Sequence, residues 1–572
     1  MKKLLKYLKG YVKEAILGPL FKLFEASLEL IVPLIIASII DVGILGEDKR
    51  YILLMSGVLV LLGVVGLAFS LTAQYFAAKA SVGFVTQVKH GLYEHLQSLS
   101  YSDIDRLGTS TMITRMTADA SKVQTGLNLT LRLLLRSPFV VFGAMIMAFS
   151  IDVESGINFG VVIFALSVVV FGIMIITMPL YKKVQGGVDK ILIRTRENLS
   201  GVRVIRAFGM EDAEEESFRK ENKALASSQQ VAGNISALMN PLTYVIINVG
   251  VILLIYIGAL RVDSGDLTQG QVIALYNYMA QILVELVKLA NLIVSVSKAL
   301  ASASRIASAF EIKPTMCYGN QENAGECEFT VEFDNVSVRY NDSGDYALDG
   351  ITFKARRGET IGIIGGTGSG KTTLVNLIPR YYDATDGTVK FFGRNVKDYT
   401  KDALIKNIGF VPQKAVLFSG TIRENLLWGD SDATDDEIYD ALRVAQATDV
   451  VDIKGGLDAE ILANGKNLSG GQRQRLTIAR ALVGKPDIII LDDSTSALDF
   501  ATDAALRSAI KNMSGNQTIF IVSQRASSVM FSDKIIVLDD GRAVAIGTHD
   551  ELLKTCDVYR EIYDSQFKKE VS

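Results

Sequence analysis

Residues 359–378, ETIGIIGGTGSGKTTLVNLI, decide the fold of the second half of the chain. An apolar run typical of a strand enters a glycine-rich turn, and a helical pattern of apolar residues follows it. The turn has the spacing Gly-x-x-x-x-Gly-Lys-Thr, at Gly365, Gly370, Lys371 and Thr372. Glycines let backbone N–H groups surround phosphate oxygens at a helix N-terminus, where the helix dipole is positive. The stretch therefore predicts a phosphate-binding loop in an α/β domain.

The side chains of this loop predict ATP and Mg²⁺ as ligands. We expect Lys371 to reach the β- and γ-phosphates and the hydroxyl of Thr372 to bind the metal ion. Residues 486–492, PDIIILD, predict a buried strand that delivers Asp492 as a further magnesium-binding group. The residues of the loop expected to contact ATP are Gly365, Gly366, Thr367, Gly368, Ser369, Gly370, Lys371, Thr372 and Thr373.

The first half of the chain is a predicted α-helical membrane domain. Several of its segments carry no charged residue over 19 to 30 positions, and a helix needs about 20 apolar residues to cross the hydrocarbon layer. Three weaker apolar runs bring the expected total to six long transmembrane helices. The predicted spans are 15–45, 51–74, 133–151, 157–181, 231–260 and 268–300, within a membrane domain at 1–312 that a linker at 313–328 and a nucleotide-binding domain at 329–572 follow.

The links between the spans predict the orientation of the chain. The links after the first, third and fifth spans are short, and their only basic residues are Lys49, Arg50 and Arg261. The links after the second and fourth spans, roughly 75–130 and 182–230, are long, charged and helical in pattern. Positive charge favours the cytoplasmic side. We therefore expect a multi-pass protein of the cell membrane with both termini and the nucleotide-binding domain in the cytoplasm.

Composition excludes several other classes of protein. The whole chain has a net charge of −3, with +6 in residues 1–320 and −9 in residues 321–572. Neither half is basic enough to predict nucleic acid as a partner. Three cysteines are too few for a disulfide framework, and the three histidines do not have metal-ligand spacing. The expected surroundings are instead a lipid bilayer and a hydrophobic or amphipathic small-molecule substrate.

Residues 468–472, LSGGQ, complete a resemblance to the ATP-binding-cassette (ABC) transporter family that covers the whole chain. Six spans before the cassette resemble one half of an exporter, and residues 101–119 and 201–218 resemble the cytosolic coupling segments of that branch. The resemblance implies stacking of Tyr340 on adenine, sensing of the metal ion by Gln413 and contact with a partner cassette by Asp499. It also implies that a γ-phosphate bound to a partner chain is contacted by Ser469, Gly470, Gly471 and Gln472.

The chain departs from the family pattern at its two catalytic positions. The family places Glu after the aspartate that corresponds to Asp492, and this chain has Asp493. The Asp side chain is one methylene shorter, which withdraws the carboxylate by roughly 1.5 Å, and loss of a general base typically costs about 10²–10⁴ in rate. The family places His where this chain has Gln524, which cannot become cationic. A milder departure is Ala463, where the family usually has an acidic residue.

These departures predict one subunit of a heterodimeric exporter. Its own Asp493 and Gln524 would form a degenerate ATP site, while its LSGGQ would complete the competent site of a homologous second half-transporter. Hydrolysis would then occur mainly on the partner chain. The alternatives are a homodimeric lipid flippase in which Asp493 works slowly, and an ATP-gated channel or regulator of the same family.

Two carboxylates interrupt the first predicted span. Glu25 and Glu29 lie four residues apart, so they share one helix face. They are expected to pair with Lys22, Arg132 or Arg136, to lie near the cytosolic headgroups, or to form an acidic wall that favours amphipathic cations.

Overall fold

The chain forms two compact units in the computed structural model, which describes residues 2–322, 325, 327–340, 344–494, 498–513 and 516–567. One unit comprises Met1–Gln97 with Gly108–Ile312, and the other comprises Ser98–Leu107 with Lys313–Ser572. Residues 98–107, which lie within the predicted membrane domain at 1–312, pack with the second unit. The physical reason is an aromatic and hydrogen-bonded contact, given below.

Helices account for nearly all of the first unit. Three of them continue into π- or 3-10-helical turns, at Lys6–Tyr11, Ile39–Ile44 and Arg115–Asp119. In chain order, the helices of the first half are α1 (Lys2–Leu5), α2 (Val12–Ser38), α3 (Lys49–Gln97), α4 (Tyr101–Leu107), α5 (Thr109–Thr114), α6 (Ala120–Leu133), α7 (Arg136–Ile151), α8 (Val153–Ser200), α9 (Val202–Ala207), α10 (Glu211–Ala237), α11 (Met239–Asp263) and α12 (Gln269–Ala309).

Among the described residues, six helical stretches are long and apolar enough to cross a membrane, which confirms the predicted number of spans. They extend well beyond the apolar segments themselves. Helix α3 has 49 residues, so it is about 73 Å long at 1.5 Å per residue, whereas the hydrocarbon layer is about 30 Å thick. The helical stretches are Lys6–Ile44, Lys49–Gln97, Thr109–Ile151, Val153–Ser200, Glu211–Asp263 and Gln269–Ala309.

Close packing of small residues joins the membrane helices. A Cβ atom on Gly18 of α2 would lie 3.3 Å from the backbone N of Ala77 in α3, and one on Gly270 of α12 would lie 2.3 Å from the carbonyl oxygen of Ala37. Lipid tails are as apolar as the side chains, so the hydrophobic effect does not drive membrane helices together. Their association is stabilised instead by van der Waals contacts, which close backbone approach increases. The buried Tyr278 hydroxyl also donates to the carbonyl oxygen of Leu30, at 2.5 Å, so its polar atom is satisfied within the bundle.

The second unit contains a six-stranded sheet in the order β12-β11-β3-β10-β9-β6, a four-stranded sheet in the order β2-β1-β4-β5 and a β7-β8 pair. Strands β11, β3, β10, β9 and β6 are parallel. The strands are β1 (Phe329–Val338), β2 (Leu348–Arg356), β3 (Thr360–Gly365), β4 (Asp386–Phe391), β5 (Arg394–Asn395), β6 (Ile408–Val411), β7 (Gly420–Thr421), β8 (Glu460–Ile461), β9 (Ile488–Asp492), β10 (Thr518–Ser523), β11 (Lys534–Asp539) and β12 (Arg542–Gly547).

The helices of this unit cover the large sheet. Every residue of β9 and β10 is buried, as expected for parallel strands whose two faces are both covered. The helices are α13 (Lys371–Asn376), α14 (Lys401–Asn407), α15 (Ile422–Leu426), α16 (Asp435–Val444), α17 (Thr448–Lys454), α18 (Gly470–Val483), α19 (Phe500–Lys511), α20 (Ala526–Val529), α21 (His549–Thr555) and α22 (Asp557–Phe567). This architecture confirms the predicted fold class.

Helix α4 lies against a group of tyrosines in the second unit. The ring of Tyr101 is 4.7 Å from that of Tyr381, centroid to centroid. The hydroxyl of Tyr382 donates to Asp105 Oδ2 at 2.7 Å. These contacts hold residues 98–107 to the second unit.

Candidate functional site

The phosphate-binding loop connects β3 to α13. Its glycines adopt backbone conformations that other residues rarely reach, with φ +85° at Gly368 and +94° at Gly370. A Cβ atom on Gly370 would also lie 2.6 Å from the carbonyl oxygen of Ala347. Both the conformation and the space therefore require glycine at position 370, which agrees with the spacing from which the loop was predicted.

Lys371, at the start of α13, folds back onto the loop. Its ammonium donates to the carbonyl oxygens of Gly365 at 2.9 Å and Gly366 at 2.6 Å. Burial lowers the pKa of Lys371, and the charges of Asp493 and Asp492 oppose that shift. The positive charge thus lies inside the turn that the backbone N–H groups line, which suits the binding of a polyphosphate.

Two oxygen ligands converge beside the loop. The hydroxyl of Thr372 donates to Asp492 Oδ1 at 3.1 Å, and Asp492 is only 3% exposed at the end of β9. Burial raises the pKa of the Asp492 carboxyl. Mg²⁺ in nucleotide sites is commonly held by one or two protein oxygens together with the phosphates, so this hydroxyl and carboxylate fit the expected ion.

Asp493 follows in a left-handed backbone conformation, with φ +46°. Its carboxylate accepts a hydrogen bond from Gln413 Nε2 at 3.4 Å, and burial raises the pKa of the Asp493 carboxyl. Gln413 comes two residues after β6, so the structure brings together two predicted residues from strands that pair side by side.

Gln524 follows β10, and its side chain is exposed. The backbone carbonyl oxygen of Gln524 accepts a hydrogen bond from Gln566 Nε2 at 2.9 Å. The Oε1 atom of Gln566 accepts a hydrogen bond from the backbone N–H of Ala526 at 2.8 Å. Sequence analysis did not identify Gln566. It lies in α22, and no motif indicates that this helix returns to the loop after β10.

Tyr340 is half-exposed, two residues after β1. Its hydroxyl donates to Thr373 Oγ1 at 3.0 Å, and its ring meets the ring of Tyr382 edge-on, with centroids 5.1 Å apart. Tyr382 is the residue that binds Asp105. Tyr340, the predicted adenine-binding aromatic, thus contacts Tyr382, which in turn binds α4. Tyr382 was also not identified from the sequence.

The signature residues lie at a different helix start. Ser469 caps α18 by accepting from the N–H of Gln472 at 3.3 Å, and the Gln472 side chain accepts from the N–H of Ser469 at 2.9 Å. Gly470 and Gly471 form the first turn of that helix. Asp499 caps α19 and accepts from the N–H of Thr502 at 2.9 Å. Within the described residues, these side-chain hydrogen bonds remain at their own helix starts and do not reach the phosphate-binding loop.

The two carboxylates of the first span both have cationic partners. Glu25 is 2.5 Å from Lys22 Nζ, and Glu29 is 2.6 Å from Arg136 Nη2. The structure thus confirms the pairing hypothesis for both residues. A continuous acidic wall is not formed, because each carboxylate is neutralised.

Comparison with known proteins now adds to this geometry. The family model described as ABC transporter transmembrane region matches residues 15–286, and the one described as ABC transporter matches residues 348–496. Together they cover more than half of the chain. The chain belongs to the ABC transporter family.

Relatives of this ABC transporter match it over most of its length. An uncharacterized ABC transporter ATP-binding protein of Bacillus subtilis, YfiB, is 36% identical, and the alignment covers 100% of both chains. An ATP-dependent lipid A-core flippase of Syntrophus aciditrophicus is 30% identical over 85% of this chain and 81% of its own. A bacterial Atm1-family ABC exporter with ATP bound has the same fold, with a TM-score of 0.81 at 23% identity over 97% of this chain and 99% of the other.

Proposed function

We propose that this ABC transporter is one subunit of a heterodimeric exporter of hydrophobic or amphipathic compounds, with one slow and one fast ATP site. The observation that carries the proposal is the combination of Asp493 and Gln524 with an intact LSGGQ at 468–472. The residues that would activate water have changed in this chain, whereas those that would serve a partner's nucleotide have not. Two identical copies would have two impaired sites.

The geometry of the slow site supports ATP binding more than hydrolysis. Lys371 and the loop backbone are arranged for phosphates, and Thr372 with Asp492 would hold Mg²⁺, which neutralises phosphate charge when it is bound. Asp493, in contrast, has a short side chain whose carboxylate is bound by Gln413. The missing methylene also withdraws this carboxylate from the position that a glutamate base would reach.

The capping geometry of α18 supports a role for this chain at the partner's site. In the proposed head-to-tail dimer, Ser469 and Gly471 would face the γ-phosphate held by the partner subunit. Asp499 would approach the same interface. Both termini and the cassette would lie in the cytoplasm, because the basic residues of the first half concentrate outside the three short links.

Mutations in this one chain test the asymmetry through steady-state ATPase activity of the purified complex. Ser469→Arg should nearly abolish turnover, because it places a large cation at the fast site. Asp493→Asn should reduce turnover by only a small factor, and Lys371→Ala should lie between the two. Asp539→Asn is the matched control, since Asp539 is an exposed aspartate at the end of β11, a strand that is not adjacent to β9 in the sheet.

A homodimer predicts a different pattern. Every site would then contain every residue, so Asp493→Asn would cost the full factor of about 10²–10⁴. Equal and near-total losses from Ser469→Arg and Asp493→Asn would refute the heterodimer and favour a homodimer. The alternative function would then be that of a homodimeric lipid flippase; one relative is named as an ATP-dependent lipid A-core flippase.

A further inference from the structure

A cavity of about 480 Å³ lies among the membrane helices α2, α7 and α12. Its size falls within the range of about 300–1,000 Å³ that is usual for small-molecule sites. One part of its wall is apolar and includes Val32, Ile36 and Val140. The other part is polar, with the side chains Glu29, Arg136, Asn277, Gln281, Glu285 and Lys288.

The centre of the polar wall is internally neutralised. Glu285 is buried and accepts hydrogen bonds from Arg136 Nη1 at 2.5 Å, Ser137 Oγ at 2.8 Å and Lys288 Nζ at 2.8 Å. Arg136 is also buried and donates in addition to Glu29 Oε2, at 2.6 Å. Both oxygens of Glu285 thus accept hydrogen bonds from the protein, and Arg136 is bound to a carboxylate on each side, although its buried Nε has no partner among the described residues.

These contacts form a series of ion pairs, Glu29–Arg136–Glu285–Lys288. The two residues at the ends of the series remain available to a ligand. The side chains of Glu29 and Lys288 are each 42% exposed. Glu29 is bound by Arg136 through one of its two carboxylate oxygens, and the Lys288 ammonium has two further protons besides the one donated to Glu285. In the same wall, the buried Oε1 atom of Gln281 has no hydrogen-bond partner among the described residues.

A purely structural role explains only part of this arrangement. Polar side chains often join membrane helices, and the buried Arg136–Glu285 pair serves that purpose. Helix packing alone, however, does not require a large cavity, an exposed charge of each sign and an unpaired buried carbonyl oxygen in one place. Charged residues within membrane spans that face a cavity commonly mark the path of a substrate.

We propose that this cavity binds a zwitterionic amphiphile, with the substrate's ammonium at Glu29 and its phosphate or carboxylate at Lys288. The charges of the four charged side chains in the wall sum to zero. A ligand with a single charge would therefore leave either Glu29 or Lys288 without a partner. A zwitterion satisfies both ends, and its apolar chain can lie along Val32, Ile36 and Val140. This substrate class rests on the proposed export function.

The test compares three twelve-carbon ligands on the purified complex in nanodiscs of anionic lipid, with binding measured by isothermal titration calorimetry. Lauroyl lysophosphatidylethanolamine is the zwitterion, dodecylammonium the cation and dodecyl phosphate the anion. We expect the zwitterion to bind on the order of tenfold more tightly than either of the others. A further arm uses trileucine with free termini, because a soluble peptide carries the same pair of charges: the tighter of trileucine and the lysolipid identifies the source of the ligand.

Two variants identify the ends of the site. Glu29→Gln should remove the advantage of the zwitterion over the anion, and Lys288→Met should remove its advantage over the cation. Glu25→Gln is the matched control, since Glu25 is a carboxylate of the same helix that does not line the cavity, and it should leave the ranking of ligands unchanged.

Equal or tighter binding of the cation or the anion to the unmutated complex would overturn the proposal, and this result needs no variant to fold. If the ranking fails while Ser469→Arg and Asp493→Asn still differ in ATPase activity, the substrate class is wrong and the export function stands. If both fail, the proposed function is wrong as well.

Discussion

Replacing Tyr382 with Phe should loosen helix α4 without unfolding the second unit. The hydroxyl of Tyr382 donates to Asp105 Oδ2 at 2.7 Å. Among the described residues, this hydrogen bond is the polar contact of the Tyr382 side chain with α4. The ring would remain in place against Tyr340 and Tyr101. The substitution therefore removes one charge-assisted hydrogen bond and little apolar contact.

The position of Asp105 sets the size of the effect. A hydrogen bond to a charged group contributes about 1.5–3 kcal/mol when it is shielded from water. Asp105 is exposed, so we expect about 1 kcal/mol, which corresponds to roughly fivefold faster opening of α4. Hydrogen–deuterium exchange of the amides in Tyr101–Leu107, measured on the intact complex, reports this opening directly.

Tyr346→Phe is the matched control for this experiment. Its hydroxyl also meets an aspartate, Asp386, but at 3.4 Å and away from α4. Unchanged exchange in α4 for Tyr382→Phe would refute the assigned hydrogen bond. Faster exchange throughout the second unit would instead show that Tyr382 stabilises the cassette as a whole. Because α4 belongs to a segment that resembles the coupling segments of exporters, a local effect should also reduce the stimulation of ATPase activity by substrate.

Further variants test the nucleotide site. Gly370→Ala should abolish ATP binding at this site in a fluorescent-nucleotide assay, because the Cβ atom of the alanine would lie 2.6 Å from the carbonyl oxygen of Ala347. In Gly366→Ala, the new Cβ atom would meet no atom within 4 Å, so this variant should leave the melting temperature unchanged. Gln566→Ala should lower the melting temperature by releasing the two hydrogen bonds at the loop after β10, each worth about 1 kcal/mol, and should reduce turnover by no more than Asp493→Asn does. An unchanged melting temperature would show that the loop is held by other contacts. Asp493→Glu combined with Gln524→His should raise turnover of the complex by up to about twofold, since it restores a second competent site, and no increase would mean that the left-handed backbone at residue 493 misplaces the longer side chain.

Some features of the site follow from local sequence alone. The number of spans was predictable because bilayer thickness fixes the length of an apolar helix, and the phosphate-binding loop was predictable because its glycines answer a local backbone requirement. The Tyr382–Asp105 contact joins residues 277 positions apart, and Gln566 meets Gln524 across 42 positions. No local pattern encodes such contacts, since they depend on how distant helices return to the sheet.

The membrane half shows the same limit. The charge of Glu29 was visible in the sequence, as was Arg136 among its candidate partners. The sequence did not show that Glu285 and Lys288, some 250 residues later, would extend the pair into a chain with two exposed ends. Likewise, the helical pattern of the link at roughly 75–130 gave no indication that residues 98–107 would pack with the second unit.

The cap of helix α18 has a consequence for how Ser469 can act. Its oxygen already accepts a hydrogen bond from the Gln472 N–H, which leaves the hydroxyl hydrogen free to point away from the helix axis. The Ser469 hydroxyl thus stabilises the start of the helix through its oxygen. Its hydrogen can be donated outside the helix, in directions that the cap restricts. Aspartate and asparagine make equally good caps, but aspartate has no proton to donate and would repel an anion. Helix formation alone would accept all three residues. Replacement of Ser469 by aspartate would keep the cap and remove the donor, whereas asparagine would keep a neutral donor on a longer side chain.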